Sequence, residues 1–266
     1  MYQSPSSTTA NLAVRSVSSP ASLGRDASLD GQPQRSRPLM RKYEVAHLTP
    51  SSQIEEKSVL APALPVFEDS FASLGRGAIL QTETGPCAVE DLLPGDRIMT
   101  ASNEFQTLMW HGSMTVIPGA QNRRPEMGTL TRVTSESFGY GRPMPDLVLG
   151  PSARMTYTTP AVRTLTGRNT ALVPVRDFID QEQIIELTPI SAVQVYQLGF
   201  KNHERICVNG VELESLHPGL PHTIAMKPDM MAMLMALFPH KGSLHEFGSL
   251  LHPRINLRDL DFHDAA

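Results

Sequence analysis

Residues 87–100 read CAVEDLLPGDRIMT, and the corner at their centre sets the grammar for the chain around it. Two apolar segments meet at Leu93-Pro94-Gly95-Asp96. Proline presets φ at the second position of a turn, and glycine supplies the positive φ of the third. LPGD therefore predicts a type II turn. Acidic residues flank the corner at Glu90, Asp91 and Asp96, and the glycine-rich stretch LGRGAILQTETG (74–85) stands just ahead of it.

The same pattern of short apolar runs between turn residues repeats outward. AILQT (78–82) lies before the corner, and RIMTA (97–101) and FQTLMWHGSMTVI (105–117) lie after it. DLVLG (146–150), RMTYTT (154–159), TALVPV (170–175), QIIELTP (183–189), AVQVYQLGF (192–200) and RICVNGVELES (205–215) continue the series. Runs this short, bounded by Gly, Pro, Asn or Asp, predict a mainly β domain. Asn209-Gly210 predicts a type I′ hairpin, because both positions of that turn need φ above zero. Residues 118–145, with PGAQNRRPEMG and GYGRPMP, read as loop.

The two ends differ from this centre. Residues 1–66 hold twelve Ser and seven Pro, with Tyr2 and Tyr43 as their aromatics. Such a composition predicts a disordered tail, since little apolar surface is available to offset the entropy of ordering. Within it, MRKYEVAHL (40–48) is compatible with a short docked element, and VLAPALPVF (59–67) reads as an extended arm. Residues 67–220 form the β domain. In the last segment, 221–266, KPDMMAMLMALF predicts a short helix with Pro228 near its start and Asp229 in the first turn. That helix has almost no polar face, so its methionines are expected to meet the core or a partner.

Composition excludes several functions. The net charge of -4 and pI near 6.1 argue against a general nucleic-acid binder. No run reaches the roughly 18 apolar residues of a membrane span, and a membrane-surface role lacks a basic face. The N-terminus lacks the basic start and apolar core of a secretory signal, so the expected location is the cytoplasm, or the exterior by a route without such a signal. Cys87 and Cys207 read as two thiols of a reducing compartment, with one bridge between them as the alternative. Gly75-Arg76-Gly77 is followed by no Walker lysine, so no nucleotide cofactor is expected. His217 with His222, and His240, His245 and His252, have metal-like intervals. No Cys or carboxylate stands at matched spacing, so no metal is expected. A protein partner, met by the tail or the C-terminal helix, is the interaction left open.

Several segments, in order, resemble the bacterial Hint (hedgehog/intein) domain family. Gly77, Ala78, Leu80, Thr82 and Gly85 match one family pattern, and Val89, Glu90, Asp91, Leu92, Gly95 and Asp96 match the Val-Glu-Asp-Leu-x-x-Gly-Asp pattern that follows it. LMWHG (108–112), PDLVLGPSARMTY (145–157) and VYQLGFKNHERICVNGVELESLHPG (195–219) are similar to the family's later segments, and ALFP (236–239) to its C-terminal helix. The resemblance implies a horseshoe-like β-fold whose first residue sits at its centre.

It also implies a chemistry. In such domains the first residue attacks the carbonyl before it and turns an amide into a thioester or ester. The step needs a nucleophile beside its own peptide bond, donors for the oxyanion, and an acid for the leaving nitrogen. The resemblance places Ser73 at the nucleophile's position, so the scissile bond would be Ala72–Ser73. It matches Asp146 to the family's acidic position and His203 to its later histidine. Ala153, in GPSARM, stands where the family carries its catalytic histidine, and alanine donates no proton. The plain alternatives are a loop serine at 73, a solvated carboxylate at 146 and a surface histidine at 203. Together these residues imply a degenerate Hint domain serving as scaffold or binding module. A slow self-cleaving domain that uses Ser73, Asp146 and His203 is the second reading, and a general β-rich interaction domain the third.

Overall fold

In Arg41-Lys42-Tyr43-Glu44-Val45-Ala46-His47, alternate residues differ in burial: Arg41, Tyr43, Val45 and His47 are buried. A period of two is the mark of a strand with one face on a core. In the computed structural model, which describes residues 39–102, 104–120 and 124–261, this segment is a strand. The described residues form strands β1 (Met40–Leu48) and β2 (Ile54–Pro62), helix α1 (Pro65–Glu68), and strands β3 (Leu74–Gly75), β4 (Ile79–Thr82), β5 (Gly85–Ala88), β6 (Arg97–Met99), β7 (Phe105–Thr107), β8 (Trp110–Val116), β9 (Leu130–Val133), β10 (Leu147–Leu149) and β11 (Arg154–Tyr157). Helix α2 (Pro160–Thr166), strands β12 (Ala171–Pro174), β13 (Ile184–Leu187), β14 (Val193–Gly199), β15 (Arg205–Val208) and β16 (Val211–Glu214), and helices α3 (Pro228–Met235) and α4 (Arg258–Asp261) follow.

The strands form two antiparallel sheets. One runs β13-β9-β10-β3-β14-β8-β1-β2, and the other runs β12-β11-β16-β15-β4-β6-β7 with β5 paired to β4. The mainly β expectation holds, and so does the short C-terminal helix. The turn at the LPGD corner forms as expected: Asp96 N–H donates to Leu93 O at 3.0 Å, and Gly95 takes φ +106°. Its acids are fasteners. Asp96 Oδ2 accepts the Leu93 N–H at 2.8 Å. Glu90 accepts from Gly77 N–H at 2.8 Å and from Arg76 Nε at 3.2 Å, which ties the corner to the strand before it. Asn209 and Gly210 have φ of +47° and +85°, as a type I′ turn requires.

The expectation of a disordered tail over residues 1–66 is corrected for residues 40–62. They form β1 and β2, and β1 pairs with β8 from Tyr43↔Met114 to His47↔Trp110. Composition averaged over sixty-odd residues hides a nine-residue alternation, and the strand's partner is remote in sequence. Pro65 and Val66 begin α1, and residues 1–38 of that tail lie outside the described residues. β9, inside the stretch read as loop, was hidden for a similar reason: it is four residues long and completed by β10 and β13.

Two cores result. One, around Leu74, Leu80, Ile98, Leu149, Leu198 and Leu213, also holds residues from both sheets. The other joins the two ends of the chain: Tyr43, Phe67 and Phe71 pack with Trp110, Phe238 and Phe247. Phe71 stands 4.8 Å from Tyr43 and 5.1 Å, edge on, from Trp110. Trp110 Nε1–H donates to Leu237 O at 2.8 Å, which satisfies the indole without water. Fully burying each such ring stabilises the fold by on the order of 3 kcal/mol. Arg41 is buried beside Glu68, with Nε–Oε1 at 2.9 Å, and this pair anchors β1 to α1.

Candidate functional site

The Ala72–Ser73 bond lies where the chain leaves α1 and enters β3, and it is held on both carbonyls. Ser152 N–H donates to Ala72 O at 2.9 Å and Gly150 N–H to Ser73 O at 2.7 Å. Ser73 N–H donates to Tyr196 O at 3.2 Å. The approach is so close that a Cβ at Gly150 would sit 2.3 Å from Ala72 O, so only glycine fits there. Ser73 is buried, and its Oγ has no hydrogen-bond partner among the described residues.

Ala153 follows this clamp directly. Its N–H donates to Gly150 O at 3.2 Å, its carbonyl accepts from Val175 N–H at 2.9 Å, and its methyl is buried in the core. The structure thus brings Ser73 and the turn carrying Ala153 together through direct hydrogen bonds.

His203 is not a surface residue. It is buried, its Nδ1 accepts the Leu251 N–H at 3.1 Å, and its Nε2 faces Glu214 Oε1 at 3.1 Å. With Nδ1 accepting, the ring proton resides on Nε2. Arg254 reaches the same carboxylate, with Nε 2.9 Å from Oε1, and also donates to His217 O at 2.7 Å. Burial alone pushes the Glu214 carboxyl up, but Arg254 and then His203 outweigh it and hold it at about 2. The His217 ring lies 5.0 Å from that of His203, tilted by 57°. Its Nδ1 accepts from Gly219 N–H at 3.1 Å, and burial, with His203 adding, lowers it to about 4. At neutral pH it is an uncharged donor from Nε2 toward Gly248 O, 3.3 Å away.

A small enclosed cavity of about 60 Å³ links the two groups. Ser152, Gln197, Glu214, His217 and Arg254 line it. Its wall therefore includes the residue that holds Ala72 O and the carboxylate that faces His203. Asp146 is apart from both. It precedes β10, whereas Gly150 follows it, and four residues of strand span about 13 Å. Arg132 Nε donates to Asp146 at 2.8 Å and Ser135 N–H at 2.7 Å. The Arg132 hydrogen bond, then that of Ser135, holds its carboxyl below the ordinary range.

Sequence reading missed Glu214 and Arg254, and saw His217 only as a metal candidate. Glu214 gives no signal, since Leu213 beside it is also buried and the strand's alternation fails there. Arg254 comes from the irregular C-terminal segment, which sequence pattern could not place. The described residues contain no group of three potential metal ligands. Cys87 and Cys207 are free thiols; burial raises both, so neither is activated as a nucleophile. No helix among the described residues is long and apolar enough to cross a membrane.

The model of the Hint domain family matches residues 72–220, more than half of the chain, beginning one residue before Ser73. No curated protein matches. A solved bacterial intein-like domain from Clostridium thermocellum is similar at 12% identity and a TM-score of 0.33, over 54% of this chain and 98% of that one. On the span of the family match, the chain belongs to the Hint domain family.

Proposed function

We propose that this chain is a degenerate Hint domain, which keeps the architecture, lacks efficient self-cleavage and serves as a scaffold or binding module. One observation carries the reading: Ser73 Oγ, the would-be nucleophile, is buried with neither an acid nor a base on it. An N-to-O acyl shift would form the bond from Ser73 Oγ to the Ala72 carbonyl carbon, break the Ala72–Ser73 amide, and move the hydroxyl proton to the nitrogen. The amide N–H is engaged with Tyr196 O, and the residue in place of the family histidine contributes a methyl group. Losing a general acid lowers such a rate by about 10² to 10⁴. His203 Nδ1 accepts from Leu251 N–H while its Nε2 lies 3.1 Å from Glu214 Oε1 outside hydrogen-bond alignment, and Asp146 is engaged by Arg132.

The chain before Ser73 supports the scaffold role. β1 is hydrogen-bonded to β8, and Tyr43, Phe67 and Phe71 belong to the same core as Trp110. A cut at Ala72 would therefore leave residues 40–72 in place rather than release them.

One observation favours the alternative, slow autoproteolysis at Ala72–Ser73. Ser152 N–H already donates to the carbonyl that would become the oxyanion. The test is intact mass of the full chain under denaturing conditions, with and without hydroxylamine, which cleaves esters. A single uncleaved mass is expected. Fragments that end at Ala72 and begin at Ser73, and that vanish in Ser73→Ala, would refute the degenerate reading and establish the slow one.

A further inference from the structure

A second, larger cavity of about 660 Å³ opens beside the Ala72 clamp, with Ser152 in its wall. Four arginines line it, Arg124, Arg154, Arg176 and Arg258, against three carboxylates, Asp69, Glu126 and Asp177. The carboxylates are already engaged. Asp69 receives Arg124 at 2.6 Å, and Glu126 lies 3.8 Å from the same guanidinium. Asp177 Oδ2 accepts the Leu257 N–H at 2.9 Å.

Arg124 is therefore paired directly with carboxylates. Among the described residues, Arg154, Arg176 and Arg258 make no ion pair. Arg154 is the most exposed to cost: its Nε is buried without a hydrogen bond. Burial, and then the positive charge of Arg254, lowers its guanidinium below its ordinary range. Arg154 as a whole is half-buried, and Glu214, Asp69 and Asp177 oppose that lowering without contacting it; a guanidinium nitrogen buried without a partner is costly and is normally paired or bound to a ligand.

We propose that this cavity binds a phosphate group, as the free ion or on a phosphate monoester, through Arg154, Arg176 and Arg258. The three side chains arise from different elements: β11, the 3₁₀ turn Val175–Phe178, and α4. Guanidinium forks match the oxygens of a tetrahedral dianion, and a planar monocarboxylate offers only two acceptors. The volume falls within the range of small-molecule sites and exceeds what phosphate alone fills, which leaves room for an esterified alcohol. The site does not depend on the state of the Ala72–Ser73 bond.

The test is calorimetric titration of the full chain in chloride buffer at fixed ionic strength. The titrants are inorganic phosphate, glycerol 2-phosphate as the monoester, and citrate as a polycarboxylate control. Saturable one-to-one binding of phosphate, the monoester or both is expected, with citrate at least tenfold weaker. If both bind, the phosphate group suffices; if the monoester alone binds, the alcohol is part of the ligand. Arg176→Ala with Arg258→Ala should weaken binding at least tenfold and leave the Tm in phosphate-free buffer unchanged, since Arg258 is exposed and Arg176 is half-buried. Arg154→Gln should abolish binding, with retention of the fold checked by far-ultraviolet circular dichroism because Arg154 also supports the Glu214 carboxylate. No saturable heat from either phosphate, equal binding of citrate, or undiminished binding by the double variant would overturn the proposal.

Discussion

Replacing Arg254 by Met removes the cation that holds Glu214 ionised while keeping an apolar stem in its place. Glu214 is buried and held at about 2 instead of its ordinary 4.5, a difference worth about 3 kcal/mol of folding stability. Because the folded value is depressed, that stability is complete above pH 4.5 and disappears as the pH falls toward 2. Without Arg254, burial weighs more heavily on the carboxyl and pushes it up, with His203 and Arg154 left to oppose it. The pH-dependent stability that the depressed value supplies then shrinks. At pH 7 it should be less stable by about 3 to 5 kcal/mol, the usual cost of stripping one partner from a buried ion pair. That gap should narrow below pH 4.5. Trp110, the single tryptophan and buried in the core, reports unfolding by fluorescence in urea. Measured at pH 7, 5 and 3.5, a difference between wild type and Arg254→Met that stays constant with pH would refute the assignment of Glu214 as the ionised centre of the cluster. A loss under about 1 kcal/mol at pH 7 would refute the geometry itself.

Three more outcomes follow from the coordinates. Gly150→Ala places a methyl group 2.3 Å from Ala72 O, where only backbone can move, and should cost about 2 kcal/mol or more in chemical denaturation. Tyr43→Ala should cost about 3 to 5 kcal/mol and redden Trp110 emission, because the β1 ring packs through Phe71 onto the indole; an unchanged midpoint would mean the hairpin is dispensable. His240 has both ring nitrogens buried without a partner, and burial, then Lys241 and His47, lowers it to about 3. As a base with a depressed folded value it is fully favourable above pH 6.5 and loses stability as the pH falls toward 3. His240→Phe should flatten that limb, as read by melting temperature across the same pH range.

Much of this molecule is legible from local pattern. The LPGD corner, the Asn209-Gly210 hairpin and most of the strands announce themselves because turn geometry depends on a few adjacent dihedrals, and strand burial on a period of two. The ordered run of short motifs was enough to indicate the family. The resemblance to that family marked Ser73 and Ala153 as departures from its pattern. The sequence did not show that residues 40–62 belong to the sheet, nor that Glu214, Arg254 and His217 close around His203. It could not separate Asp146, at the far end of β10, from Ser73 beside the turn that follows that strand. Nor could it gather Arg154, Arg176 and Arg258 on one cavity. The physical reason is the same in each case. Dihedral preferences and alternation are written among neighbours, whereas the state of a buried charge depends on which remote partner the chain brings to it, and that is decided only when the sheets close.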